Sequence, residues 1–391
     1  MPRHPYWRLS GFYFFYFAFV GVMSPYWGLY LQSLSFSAFE IAVLLSLLQA
    51  MRVFAPNLWG WLADHIGRRA AIVRTVAWAS LACFGGVFFG SGFWWLFAVM
   101  AGMSFFWSAS LPLVEATTLS HLRDAAARYG HIRLWGSVGF IVAVVGLGYA
   151  LKSWPVGLLP WVAAALLAGI ALFARAIPEA PPAPHEADAV PVWRVLCRPE
   201  VLAFIAGGFF MAAAHGAYYT FYSIYLVLHG YGKDTVGWLW ALGVVCEIGV
   251  FLWMPRLFRA FGLREILLAS YALAVLRFLL IGWGVESLAL LILAQTLHAA
   301  TFGSHHAAAV AVAHRFFRGR HQARGQALYN GISFGGGGTA GGLLSGYAWD
   351  AVGPAWTFTL AAACALAAWG VAARLRLPGE ARPVRGQGFM E

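Results

Sequence analysis

Five charged side chains sit where hydrocarbon should exclude them. Arg52, Glu115, Arg133, Glu247 and Arg277 lie inside apolar stretches of membrane-spanning length, with His215 and His298 beside them. A charge near the bilayer centre costs roughly 3 kcal/mol on insertion scales, so each needs a partner or a watered path. A carboxylate or imidazole so placed can take up and release a proton, and a guanidinium offers a fork to a carboxylate. Three pairings are open. Arg52 and Glu247, 195 positions apart, fall on equivalent places of an internal repeat. They are therefore expected at one depth on symmetry-related helices, the arginine for a carboxylate ligand and the glutamate for a proton. Alternatively Glu247 forms an ion pair with Arg277, since Glu247 precedes Arg256 by nine residues and Arg277 follows Glu265 by twelve. Glu115 and Arg133, near the ends of adjacent spans, suit a gate or structural bridge, and Arg133 is the second candidate for a carboxylate ligand.

The elements that position these residues follow from composition. The 391 residues are 61% hydrophobic and only 10% charged, against about 25% charged for a soluble domain. Apolar stretches of about 20 residues match a bilayer about 30 Å thick. We read spans near 9–32, 38–62, 70–90, 93–119, 131–152 and 154–175, then near 200–228, 234–256, 265–284, 287–314, 326–349 and 354–376. Residues 179–191, rich in proline and alanine, read as a linker. The chain is thus expected to be an all-α membrane protein of twelve transmembrane helices in two pseudo-symmetric six-helix halves, 1–176 and 199–391, joined by a cytoplasmic linker over 177–198. Displacing the sequence by 195 residues lays Tyr16–Ala70 on Met211–Glu265 without a gap, matching Gly21 to Gly216 and Gly67 to Gly262.

The net charge of +11 does not imply nucleic acid. The arginines gather in alternate loops, whereas the only two lysines, Lys152 and Lys233, lie in the opposite ones. By the positive-inside rule both termini are cytoplasmic. No secretory signal anatomy opens the chain. Cys83, Cys197, Cys246 and Cys364 are too scattered for a disulfide framework or a zinc site, and the pair His305 and His306 has no evident third ligand. The glycine run from Gly335 to Gly342 lacks the lysine and preceding strand of a phosphate loop. It reads as close helix packing or a hinge in span eleven.

The turn GWLADHIGRR (Gly60–Arg69) joins spans two and three, with Asp64, Arg68 and Arg69 crowded between two glycines. It resembles the signature loop of the major facilitator superfamily of transporters, and recurs in degenerate form as MPRLFRAFGLRE in the second half. The resemblance implies that Asp64, Arg68 and Arg69 serve conformational change, with Asp64 facing the start of span eleven near Gln326. Four further segments are similar to the phenylpropionate permease branch of that superfamily, which is related to nucleoside–proton symporters. They are YGHIRLWGS (Tyr129–Ser137), AHGAYY (Ala214–Tyr219), GWLWALGVVCE (Gly237–Glu247) and QTLHAATFGSHH (Gln295–His306).

That likeness implies alternating access by two rocking halves and proton-coupled uptake of a small, plausibly aromatic organic acid, with no cofactor. A proton-driven export antiporter or a nucleoside symporter remains open on the same motifs, and a membrane receptor or enzyme is disfavoured by the lack of a nucleophile or metal cluster. Glu247, His215 and His298 are the candidates for proton coupling. Arg52, Tyr26, Tyr30, Trp135, Tyr218, Tyr219 and Trp240 are the candidates for binding substrate. The expected partners are protons, a small solute and the lipids of a bacterial-type inner membrane, and the expected working unit is a monomer.

Overall fold

A computed structural model of the chain describes residues 5–122, 128–179, 192–317, 321–375 and 377. Most of the expected linker and both extreme termini lie outside these residues. Every regular element among the described residues is helical. The first half comprises α1 (Tyr6–Ser33), α2 (Ala38–Ile66), α3 (Arg69–Phe84), α4 (Phe93–Leu122), α5 (Tyr129–Ser153) and α6 (Leu159–Ala176). After the short α7 (Val192–Leu196) come α8 (Pro199–Leu228), α9 (Lys233–Ala260) and α10 (Leu263–Trp283). Two composite rods follow. α11 (Leu288–His298) runs through a π-helical segment, Ala299–Ser304, into α12 (His305–Phe316). α13 (His321–Tyr329) runs through a second π segment, Asn330–Gly337, into α14 (Gly338–Val352), and α15 (Pro354–Ala372) closes the bundle.

Among the described residues, ten helices are long and apolar enough to cross a membrane. The expected spans near 287–314 and 326–349 correspond to the two π-interrupted rods. Each π turn widens the helix by one residue per turn, a distortion that concentrates at functional sites.

The internal repeat reappears as a repeat of contacts. α1 packs on α5 and α6, α2 and α3 on α4, and α3 on α6. In the second half α8 packs on α14 and α15, α9 and α10 on α11, and α10 on α15. The two most extensive contacts that bridge the halves are related in the same way: α5 lies on α9 and α2 on α14, while α1 meets α8 between them. Buried apolar side chains from both halves form one continuous core, while Trp94, Trp161, Trp238 and Trp283 lie exposed at the ends of their helices, where tryptophan favours the membrane interface.

Both bridging contacts are tight at the end of the bundle that carries the two lysines. Lys152 donates to Asp234 across the halves at 2.7 Å. The Tyr26 hydroxyl donates to the Val144 carbonyl at 2.7 Å and stands 3.2 Å from that of Lys233. The Phe39 amide donates to Asp350 at 3.3 Å. At the arginine-rich end the signature turn is local. Gly67 ends α2 at φ +71°, a left-handed conformation that glycine adopts without a Cβ clash. Asp64 accepts from Arg69 at 2.8 Å and Arg68 is exposed. The approach of Asp64 to span eleven is expected of the outward-open state; here Gln326 stands 3.2 Å from His314. Glu179 holds the start of the linker to this turn, accepting at 2.9 Å from the amides of both Ala70 and Ala71 at the N-terminus of α3, where the helix dipole favours an anion.

The glycine run is divided between a π segment and a close helix crossing. Gly335 and Gly337 lie in the π segment, whereas Gly341 and Gly216 meet at the crossing of α14 and α8. A Cβ on Gly341 would overlap the Ala213 backbone, and one on Gly216 would overlap Gly341 and Gly342. Small residues give such crossings their closeness in lipid. Gly341→Val should therefore force α8 and α14 apart at a cost of about 2–3 kcal/mol. The check is the yield of monodisperse protein and its melting temperature in detergent. A variant as stable as the parent would show that the crossing is not held this tightly.

Candidate functional site

On the first half the site is built around Arg52. α2 is helical through Gln49 and Arg52, so these residues, three apart, share a face. Arg52 Nη1 donates to Gln49 Oε1 at 3.2 Å, and its guanidinium lies 5.8 Å from the centre of the Trp107 ring. Trp107 stacks on Tyr16 at 4.6 Å with the planes 5° apart. Among the described residues no carboxylate lies within ion-pair distance of Arg52.

One helical turn towards the arginine-rich end, Arg133 lies over Phe17 at 3.9 Å and 4.0 Å from Glu115. Tyr129 donates to the same carboxylate at 3.3 Å. The side chains of Arg133 and Glu115 are 33% and 36% exposed. Both stand near the arginine-rich ends of α4 and α5, and charges on membrane helices avoid lipid, so this exposure marks a wet cleft at that end of the bundle.

On the second half Glu247 stands 3.8 Å from His298 Nε2. It packs against the first π segment, where a Cβ on Gly303 would come within 3.1 Å of its Cγ. The expected Glu247–Arg277 ion pair is not formed. Arg277 is fully buried and uses neutral partners: Nε donates to the Ala294 carbonyl at 3.1 Å, and Nη1 meets His215 Nε2 and Thr301 Oγ1, each at 3.3 Å. Its guanidinium lies over the Tyr218 ring at 4.2 Å. The reason is the position of α11, whose histidine comes between the two charges.

His215 is correspondingly fixed. Its Nδ1 lies 2.9 Å from the Met211 carbonyl, so Nδ1–H donates there and Nε2 is left to accept from Arg277, the neutral tautomer. Of the three proton-coupling candidates, Glu247 and His298 adjoin each other, while His215 is occupied by Arg277. Tyr218, Tyr219 and Trp240 gather as expected: Tyr218 is 4.5 Å from Trp240 and 5.6 Å from His298, and Tyr219 is 6.2 Å from Trp240. Phe140 reaches Trp240 from the first half at 6.4 Å.

Three expected substrate residues belong elsewhere. Tyr26 is committed to the closed lysine end through its two carbonyl contacts. Tyr30, one turn further out, rests on Trp27 at 4.7 Å. Trp135 donates to the Tyr6 hydroxyl at 3.0 Å and lies 5.7 Å from Trp7. It stands two residues, about 200° of helical turn, from Arg133, so when Arg133 faces the cleft Trp135 faces away. Gln295 is the residue that sequence reasoning passed over. It is fully buried, and its Oε1 accepts from Tyr218 at 3.2 Å. Its place three residues before His298 on an apolar helix was the available signal.

The comparisons with known proteins fit this architecture. The model of the MFS_1 like family matches residues 6–360. The chain is 30% identical over 335 residues to the probable 3-phenylpropionic acid transporter of Escherichia coli (strain K12), covering 84% of this chain and 87% of that protein. It is 25% identical over 302 residues to the putative nucleoside transporter YegT of the same strain, covering 73% of this chain and 70% of that one. The solved structure of the nucleoside transporter NupG superposes with a TM-score of 0.83 at 18% identity, covering 95% of this chain and 98% of that one. Its curated relatives are transporters, not enzymes. An all-helical chain, matched from its first helix into its last by one family model, belongs to the MFS_1 like family of the major facilitator superfamily and is a multi-pass membrane transporter.

Proposed function

We propose that this transporter imports a small aromatic carboxylic acid together with a proton across a bacterial inner membrane. In this reading both termini and the arginine-rich loops are cytoplasmic, residues 177–198 link halves 1–176 and 199–391, and the protein works as a monomer. The conformation described here is then closed outside, through Lys152–Asp234 and Tyr26, and open inside. The observation that carries the reading is the division of charge across the cleft. Among the described residues, Arg52 comes from one half without a carboxylate partner, and Glu247 comes from the other with only an imidazole within ion-pair distance.

Arg52 takes the substrate carboxylate in its fork, and Trp107, Tyr219 and Trp240 supply flat walls for an aromatic body. Glu247 takes the proton, with His298 Nε2 as the adjacent acceptor or donor. Arg133 and Glu115 close the inner end when the halves rock, and Asp64 with Arg69 releases or holds that end. The identity to a probable 3-phenylpropionic acid transporter supports the acid class. Relatedness to a putative nucleoside transporter makes nucleosides the other arm of the substrate screen.

Proteoliposomes with an imposed inward proton gradient test the coupling. Glu247→Gln should abolish concentrative uptake while sparing exchange at equal pH; a variant that still concentrates the acid would make Glu247 structural. Substrate recognition is tested with matched acid and amide. Arg52→Lys should weaken acid uptake by about tenfold, equivalent to one charge-assisted hydrogen bond of about 1.4 kcal/mol, and Arg52→Ala should abolish it. Equal losses for acid and amide would move the carboxylate to Arg133. Trp135→Phe, away from the cleft, should leave uptake within about twofold of the parent. Asp64→Asn should slow turnover without altering the preference for acid over amide, and an unchanged rate would remove Asp64 from the conformational step.

A further inference from the structure

Arg277 presents an accounting problem. A guanidinium has five N–H donors. Nε–H goes to Ala294, and the two on Nη1 go to His215 and Thr301. Nη2 is buried with no partner. Every acceptor that Arg277 does have is neutral, and among the described residues no carboxylate lies within ion-pair distance. Glu247 is separated from it by two imidazoles, His215 and His298, whose ring centres are 6.3 Å apart. A buried cation that lacks a counter-charge is strongly destabilising, more so in a membrane.

The unused donors do not stop at Arg277. Gln295 Nε2 and the Tyr222 hydroxyl are also buried without partners, and both residues border Tyr218. The Tyr218 ring packs on Tyr222 at 4.9 Å and under the guanidinium at 4.2 Å, and its hydroxyl is bound to Gln295. Because Gln295 Oε1 is taken by Tyr218, only the NH2 end of the amide remains free. Three side chains from α8, α10 and α11 thus hold unsatisfied donors around one ring. Two N–H donors and a hydroxyl free to donate, beside one uncompensated positive charge, suit an anion.

We propose that Arg277, Gln295 and Tyr222 form an occluded site for a small monovalent anion, either a free halide or a carboxylate group. The site goes beyond the transport reading, since it follows from the charge of Arg277 whichever solute is carried. The anion supplies the counter-charge that no side chain provides, and it couples α8, α10 and α11 at the point where the first π segment begins.

The test is thermal unfolding of the purified full chain at constant ionic strength, in methanesulfonate, in chloride, and in methanesulfonate with 3-phenylpropionate. Chloride, or the acid, should raise the melting temperature by several degrees in the parent. The rise should vanish in Arg277→Gln and shrink in Tyr222→Phe. Thr301→Asp places a carboxylate beside Nη1; it should fold with a raised melting temperature in methanesulfonate and lose its response to chloride. A chloride response that depends on Arg277 assigns the site to a free halide. A response to the acid alone that is lost in Arg277→Gln but kept in Arg52→Ala assigns it to a carboxylate. A response lost in Arg52→Ala and kept in Arg277→Gln would uphold the transport reading and overturn this site. A parent indifferent to both anions, or Thr301→Asp as responsive as the parent, would overturn it as well.

Discussion

The constraint on which this structure depends is the cost of holding charge away from water. It explains why so few charged side chains lie within the spans and why each has a specific solution. Lys152 and Asp234 neutralise each other where the halves meet. Arg133 and Glu115 stand at the edge of a wet cleft, and Arg133 also spreads over the face of Phe17. Arg277 is surrounded by carbonyl, imidazole, hydroxyl and aromatic face. Arg52, on the first half, and Glu247, on the second, are the least completed of the set.

The plane that separates the halves is where conformational change has to occur. The bridging contacts, α5 on α9 and α2 on α14, are equivalent under the internal repeat, so they can open and close together. They are joined at the lysine end by an ion pair and a few hydrogen bonds from Tyr26 and Phe39, interactions that can be broken without exposing a core. The regions that must bend carry their own softness. The π segments in the tenth and eleventh spans interrupt the regular hydrogen-bond ladder directly after His298 and directly after Tyr329, whereas the equivalent α4 in the first half is continuous.

Much of this was legible in the sequence because lipid enforces simple rules. Span lengths, the positive loops and the 195-residue repeat follow from hydropathy and charge, and they place Arg52 and Glu247 on symmetry-related helices. Facing was less legible. Trp135 and Tyr26 are aromatic residues on inner helices, but helical rotation turns Trp135 from the cleft and backbone carbonyls claim Tyr26. The Glu247–Arg277 pairing failed because depth along adjacent helices does not reveal what stands between them, here His215 and His298. Gln295 was hidden because one amide in an apolar run resembles a packing residue until its neighbours are known. The π turns have no single-residue signal, and the glycines that accompany the second one serve helix packing equally well.

The central claim is that an acid and a proton cross together, one held by each half. Its most direct measurement is the pH of a lightly buffered medium outside proteoliposomes when 3-phenylpropionate is added, with protein-free vesicles recorded in parallel to remove passive entry of the neutral acid. The account predicts an alkaline shift that begins with the acid, exceeds the vesicle background and saturates with its concentration. Protein-dependent entry of the acid without any proton movement beyond that background would contradict it.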